Sequence, residues 1–164
     1  MCEVKILKRR ILDVLDNRIK SFDKGLLLIS DEKLGFKPTI DALSVKDLAL
    51  HVYQCILVVT GAIKKGDFTE EDYNLIPIDI SEINSTKELV EYGKRVKAYA
   101  KEVINNLTKE DLNKTVKFSC WGGFTEKIGL AVETIAEELF HHRGQLCTYL
   151  RMMEIKPPSI YDYT

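Results

Sequence analysis

Histidine is scarce in this sequence, with three residues in 164, alongside one tryptophan and four prolines. No glycine-rich phosphate loop, GxSxG elbow, HExxH pair or Rossmann glycine pattern occurs, which removes the commonest nucleotide, serine-hydrolase and zincin chemistries. An excess of one charge is missing too. The 24 basic and 25 acidic residues leave a formal net charge of -1, so no electrostatic field points to nucleic acid or an anionic membrane as partner. The longest apolar run near the middle, Cys55-Ile-Leu-Val-Val, is far below the ~20 residues needed to span a bilayer. Cys2, Cys55, Cys120 and Cys147 form no CxxC pair, and free thiols in a reducing cytoplasm are expected. The first ten residues alternate charge with apolar side chains. They lack the unbroken apolar region of a signal peptide, which again points to the cytoplasm.

What is present is an ordinary globular composition, 45% hydrophobic and 30% charged, and a length that most simply makes residues 1–164 one domain. Val4, Leu7, Ile11, Leu15, Ile19, Phe22 and Leu26 recur at three- and four-residue steps, predicting a long first helix over residues 3–29. Residues 30–43 read as a loop. Ser44-Val-Lys-Asp47 resembles a capping box opening a second helix that Gly66 ends. Residues 66–84 carry no sustained period and form a long crossover. Ser85-Thr-Lys-Glu88 caps a third helix through Leu107, and Thr108-Lys-Glu-Asp111 a further short turn. Residues 117–126 alternate around Gly122-Gly123 as a small hairpin or tight loop. A fourth helix follows and is expected to run until Pro157-Pro158. The architecture predicted is all-α: a four-helix bundle with a long crossover between helices two and three.

Two of the three histidines lie in the fourth helix, beside a stripe of Ile128, Val132, Ile135, Leu139, Leu146, Leu150 and Met153. Glu138 and His142 are four residues apart and share a face, followed on the next turns by Gln145 and Tyr149. His51 falls on the inward side of helix two. Ligands from two facing helices can meet in a bundle core, so His51, Glu138 and His142 are the candidate metal ligands. Two imidazoles and one carboxylate leave coordination positions open, as catalytic sites do. The competing reading makes the histidines hydrogen-bonded core residues and Glu138 a solvent-exposed one. His141 is rotated roughly 100° from His142 and is expected to pack or to support the site, as are Gln145 and Tyr149. Cys55, one turn after His51, is read chiefly as a small buried hydrophobe and secondarily as a soft ligand. Cys147 is read as core, and Trp121 as a core plug rather than a pocket rim. Arg143 pairs with a carboxylate or is solvated. Gly144, costly inside a helix, is expected to mark a close contact.

His141-His142-Arg-Gly-Gln-Leu-Cys-Thr-Tyr-Leu-Arg151, followed by Lys156-Pro-Pro-Ser-Ile-Tyr161, resembles the C-terminal signature of the DinB/YfiT-like family. Leu48-Ala-Leu-His-Val-Tyr53 and Gly66-Asp-Phe68 are similar to its second-helix region, and the resemblance covers essentially the whole chain. It implies a divalent metal held by His51, Glu138 and His142, in a homodimeric transferase. Such an enzyme would activate a low-molecular-weight thiol, such as bacillithiol or mycothiol, for attack on a small-molecule electrophile. Metal-assisted hydrolysis is the second reading, and a non-catalytic binding or assembly bundle with a degenerate site the third. The family pattern usually has histidine where this chain has Glu138. That departure shifts the expected metal from zinc or nickel toward manganese or iron.

Overall fold

The computed structural model describes residues 3–162; Cys2 lies outside them. Four helical rods form a bundle. The first comprises α1 (Glu3–Asp13), a π turn (Val14–Arg18) and α2 (Lys20–Leu27). The second is α3 (Val45–Lys65) and the third α4 (Thr86–Asn106). The fourth is split into α5 (Ile128–Ala131) and α6 (Thr134–Met152).

The first rod is thus not the single α-helix expected. Leu7, Ile11, Leu15 and Ile19 are spaced by fours, and each four-residue step overshoots a 3.6-residue turn by about 40°. The π turn, where the Ile19 amide donates to the Val14 carbonyl at 3.1 Å, absorbs that drift. Ile11, Leu15, Ile19, Phe22 and Leu26 all end in the core. Side chains hold the bulge from outside, with Arg18 and Asn17 both donating to the Asp13 carboxylate at 2.8 Å.

α3 is the central rod. Ser44 caps it, its hydroxyl accepting from the Asp47 amide at 3.0 Å, and Gly66 ends it at φ 90°, a left-handed turn suited to glycine. α3 is long and apolar enough to cross a membrane, with mean hydropathy 1.3, but 72% of its most apolar window is buried inside the protein. Gly93 of α4 lets that helix approach α3 closely: a Cβ there would lie 2.3 Å from the Tyr53 ring. Beside this contact, Tyr53 donates to Asp23 of α2 at 2.7 Å, and Lys97 of α4 bonds the other carboxylate oxygen at 2.5 Å. Three rods are tied at one buried carboxylate. Burial, then the Asp23 charge, pushes the Tyr53 hydroxyl well above its usual range, so it stays a donor.

The reciprocal capping box at Ser85 and Glu88 opens α4 as expected. The crossover is more structured than a loop: β1 (Asp67–Phe68) and two 3-10 turns lie within it. β1 pairs in parallel with β2 (Thr115–Phe118), which pairs antiparallel with β3 (Phe124–Lys127). The hairpin expected around Gly122 and Gly123 is present, both glycines having φ near 80° (84° and 81°). Its rings stack, with Trp121 5.3 Å from Phe118 and 6.3 Å from Phe124. Trp121 is a half-buried member of that stack rather than a plug of the bundle core.

The fourth rod ends before the prolines. The Ile155 amide donates to the Leu150 carbonyl and the Glu154 amide to that of Arg151, a Schellman closure with Glu154 at φ 62° in the position glycine usually takes. Every residue of the predicted apolar stripe is buried. Cys147, read as core, is only half-buried. Gly144 is exposed, and a Cβ added to it would meet nothing within 4 Å. It marks no close contact.

Candidate metal centre

Two pairs of side chains, each one helical turn apart, face each other across the α3–α6 contact. α3 carries His51 and Cys55; α6 carries Glu138 and His142. The Glu138 Oε2 atom lies 3.1 Å from His51 Nε2 and 3.2 Å from His142 Nε2. The two imidazole rings meet edge to face with centroids 4.6 Å apart. Cys55 Sγ approaches the same point, 3.5 Å from His51 Nε2 and 3.8 Å from Glu138 Oε2. The structure therefore brings His51, Glu138 and Cys55 within 4.8 Å of one another and sets His142 against the same carboxylate.

The pair on α6 is oriented by a hydrogen-bonded relay. The Tyr149 hydroxyl donates to the Leu43 carbonyl at 3.0 Å, and its oxygen accepts from the Gln145 amide at 3.0 Å. That leaves the Gln145 carbonyl oxygen facing His142 Nδ1 at 2.9 Å, so Nδ1 must donate. His142 Nε2 then presents its lone pair to the Glu138 carboxylate. Two acceptors at hydrogen-bond distance need a proton or a cation between them. The His142 side chain is 10% exposed, whereas those of His51 and Glu138 are 42% and 33% exposed. The cluster is anchored on one side and reachable from the other.

Burial, and then the negative charge of Glu138, pushes the Cys55 thiol far above its usual range. With no cation present it remains a thiol, directed at the carboxylate. Burial pushes the Tyr73 hydroxyl and the Cys120 thiol above their usual ranges. Both sit on short 3-10 turns, where no periodicity in the sequence places them. His141 is exposed and touches His142 edge to face, with centroids 4.7 Å apart. Arg143 lies over the Phe140 ring at 5.0 Å, neither fully solvated nor drawn to a neighbouring helix. A groove of 560 Å³ lined by Ile6, Leu7, Leu112 and Leu130 includes no residue of the cluster.

The DinB superfamily model matches residues 15–146. The chain belongs to the DinB superfamily. Solved structures of similar fold include a DinB-like protein from Bacillus subtilis, 18% identical, covering 93% of this chain and 96% of that one with a TM-score of 0.72. A DinB-like protein from Bacillus cereus is 22% identical, covering 92% and 95% with a TM-score of 0.69. YfiT from Bacillus subtilis is 10% identical, covering 91% and 89% with a TM-score of 0.72, and is described as a probable metal-dependent hydrolase with an unusual four-helix bundle topology. These likenesses establish the fold that this DinB chain shares. A search of curated proteins returns no match.

Proposed function

We propose that this DinB protein is a divalent-metal-dependent enzyme, and that the nucleophile it activates is a low-molecular-weight thiol attacking a small electrophile. The observation that carries the metal is the meeting of His51 Nε2, His142 Nε2 and Glu138 Oε2 within 3.2 Å contacts, with Gln145 holding the His142 lone pair inward. A divalent cation held by these residues would lower the pKa of a bound thiol or water and so supply a nucleophile at neutral pH. The chain's own residues do the rest. Gln145 and Tyr149 fix the His142 tautomer, buried His142 shields the inner side, and the half-exposed edges of His51 and Glu138 leave an approach for substrate. Hydrolysis by bound water is the second reading, favoured by the description of YfiT as a probable metal-dependent hydrolase. As part of the same proposal the protein acts as a cytoplasmic homodimer, which sedimentation equilibrium would test.

Untagged protein purified without chelator is expected to contain one divalent cation per chain by inductively coupled plasma mass spectrometry. His142→Ala is expected to lose the ion while keeping its helical circular dichroism. Unchanged metal stoichiometry in that variant would remove His142 from the site. With metal bound, loss of an electrophile only when thiol is added supports transfer, whereas turnover without thiol supports hydrolysis.

A further inference from the structure

We propose that Cys55 is a fourth donor of this centre, making the resting ligand set two imidazoles, one carboxylate and one thiolate, with the substrate thiol or water entering as a fifth donor on the exposed side of His51 and Glu138. The inference rests on the metal-dependent reading above and extends it to a residue that looks, by sequence, like core filling. Cys55 is 3% exposed, and a buried thiol on an apolar face is ordinary. What is not ordinary is where its sulfur lies. Metal–donor distances of about 2.0–2.1 Å for nitrogen or oxygen and about 2.3 Å for sulfur fix the separations between donors in a tetrahedron. They come to about 3.3 Å between two nitrogen or oxygen donors and about 3.6 Å where one is sulfur. The structure holds His51–Glu138 at 3.1 Å, His142–Glu138 at 3.2 Å, His51–Cys55 at 3.5 Å and Glu138–Cys55 at 3.8 Å. Each of these separations is within a few tenths of an ångström of its tetrahedral value, and the longer ones are those that include sulfur. His51, Cys55 and Glu138 offer atoms that all lie within 4.8 Å of one another; His142 stands outside that compact set and joins it through its 3.2 Å contact with Glu138.

Charge gives the same answer. A divalent cation with two neutral imidazoles and one carboxylate keeps a net positive charge in a half-buried place. A thiolate from Cys55 cancels it. The thiol's displaced proton goes to solvent through the exposed edge of His51. A soft sulfur donor also reverses the effect of replacing a histidine by Glu138. The carboxylate alone favours harder ions, whereas carboxylate plus thiolate favours zinc, cobalt or cadmium over manganese or magnesium.

Cobalt(II) titration of the metal-free full-length protein tests the proposal, because the visible d–d bands report any tetrahedral binding and a near-ultraviolet charge-transfer band reports thiolate ligation. The expected result is both band sets in the native protein. In Cys55→Ser the charge-transfer band disappears while the visible bands remain, and zinc affinity falls by at least the roughly tenfold that loss of a mere orienting partner costs. Visible bands without charge transfer in the native protein would overturn the role of Cys55 and leave the metal-dependent reading standing. Persistence of charge transfer in Cys55→Ser would move the sulfur to another cysteine and overturn the proposal. No cobalt uptake at all would overturn both readings. The native spectrum decides the question whether or not the variant folds.

Discussion

At Gln145 one amide decides which nitrogen of His142 faces Glu138. Its carbonyl oxygen is 2.9 Å from His142 Nδ1, and its NH2 is committed to Tyr149. Gln145→Ala removes no donor from the cluster but frees the imidazole to turn. It is expected to weaken zinc binding by roughly 10–100-fold without changing the circular dichroism, as read by competition with a chromophoric chelator. That Glu138 and His142 face His51 was legible in the sequence, because i, i+4 spacing puts the first two on one face of α6 and His51 lies on the inward side of α3. Cys55 was legible chiefly as a hydrophobe and only secondarily as a soft ligand, since burial and ligation produce the same residue on the same face. Glycines show the same ambiguity. Gly93 and Gly144 both interrupt helices, yet Gly93 sits against the Tyr53 ring and Gly144 against nothing. Gly144→Ala should therefore stabilise the protein by up to about 1 kcal/mol through helix propensity, read as a higher Tm.

Helix starts were readable and helix interiors and ends less so. Ser44 and Ser85 supply side-chain oxygens to amides three residues on, and that chemistry is written locally. The π turn at Val14–Arg18 was encoded only as three successive four-residue steps, which also fit an unbroken helix. The end of α6 depends on Glu154 taking a left-handed conformation, φ 62°, which an L-residue adopts at a cost of about 1–2 kcal/mol. Proline-based reading overran that end because no glycine announced it. Glu154→Gly relieves the strain and is expected to raise stability by up to about 1 kcal/mol after the added flexibility of the unfolded chain is subtracted. Thermal denaturation of the variant checks this, and an unchanged or lower Tm would show that Glu154 is not strained.

For the molecule as a whole, the bundle and its hairpin were legible from periodicity, while β1 was not. A two-residue strand, Asp67–Phe68, is too short to show alternation and exists because β2 lies beside it. Stability toward acid is spread over several helix-end and loop carboxylates. Hydrogen bonds from Arg18 to Asp13, from Lys65 to Asp72 and from the Asn84 amide to Glu88 hold these groups below their ordinary values, and Lys114 with Thr108 brings Asp111 down to about 2. The unfolded chain binds protons at these groups at higher pH than the folded chain does. Their stabilisation is therefore full above the ordinary carboxylate values, 3.8 for the aspartates and 4.5 for Glu88, and is lost as pH falls toward 2. Tm is expected to drop progressively across that interval, and a Tm independent of pH there would refute it. The apolar central rod has a further consequence in time. His51 on α3 and Glu138 on α6 are 87 residues apart. At about 5–20 residues per second, synthesis separates them by roughly 4–17 seconds. Throughout that interval the side of α3 that packs on α6 has no partner helix. The segment with the hydropathy of a membrane anchor is the one that has to wait.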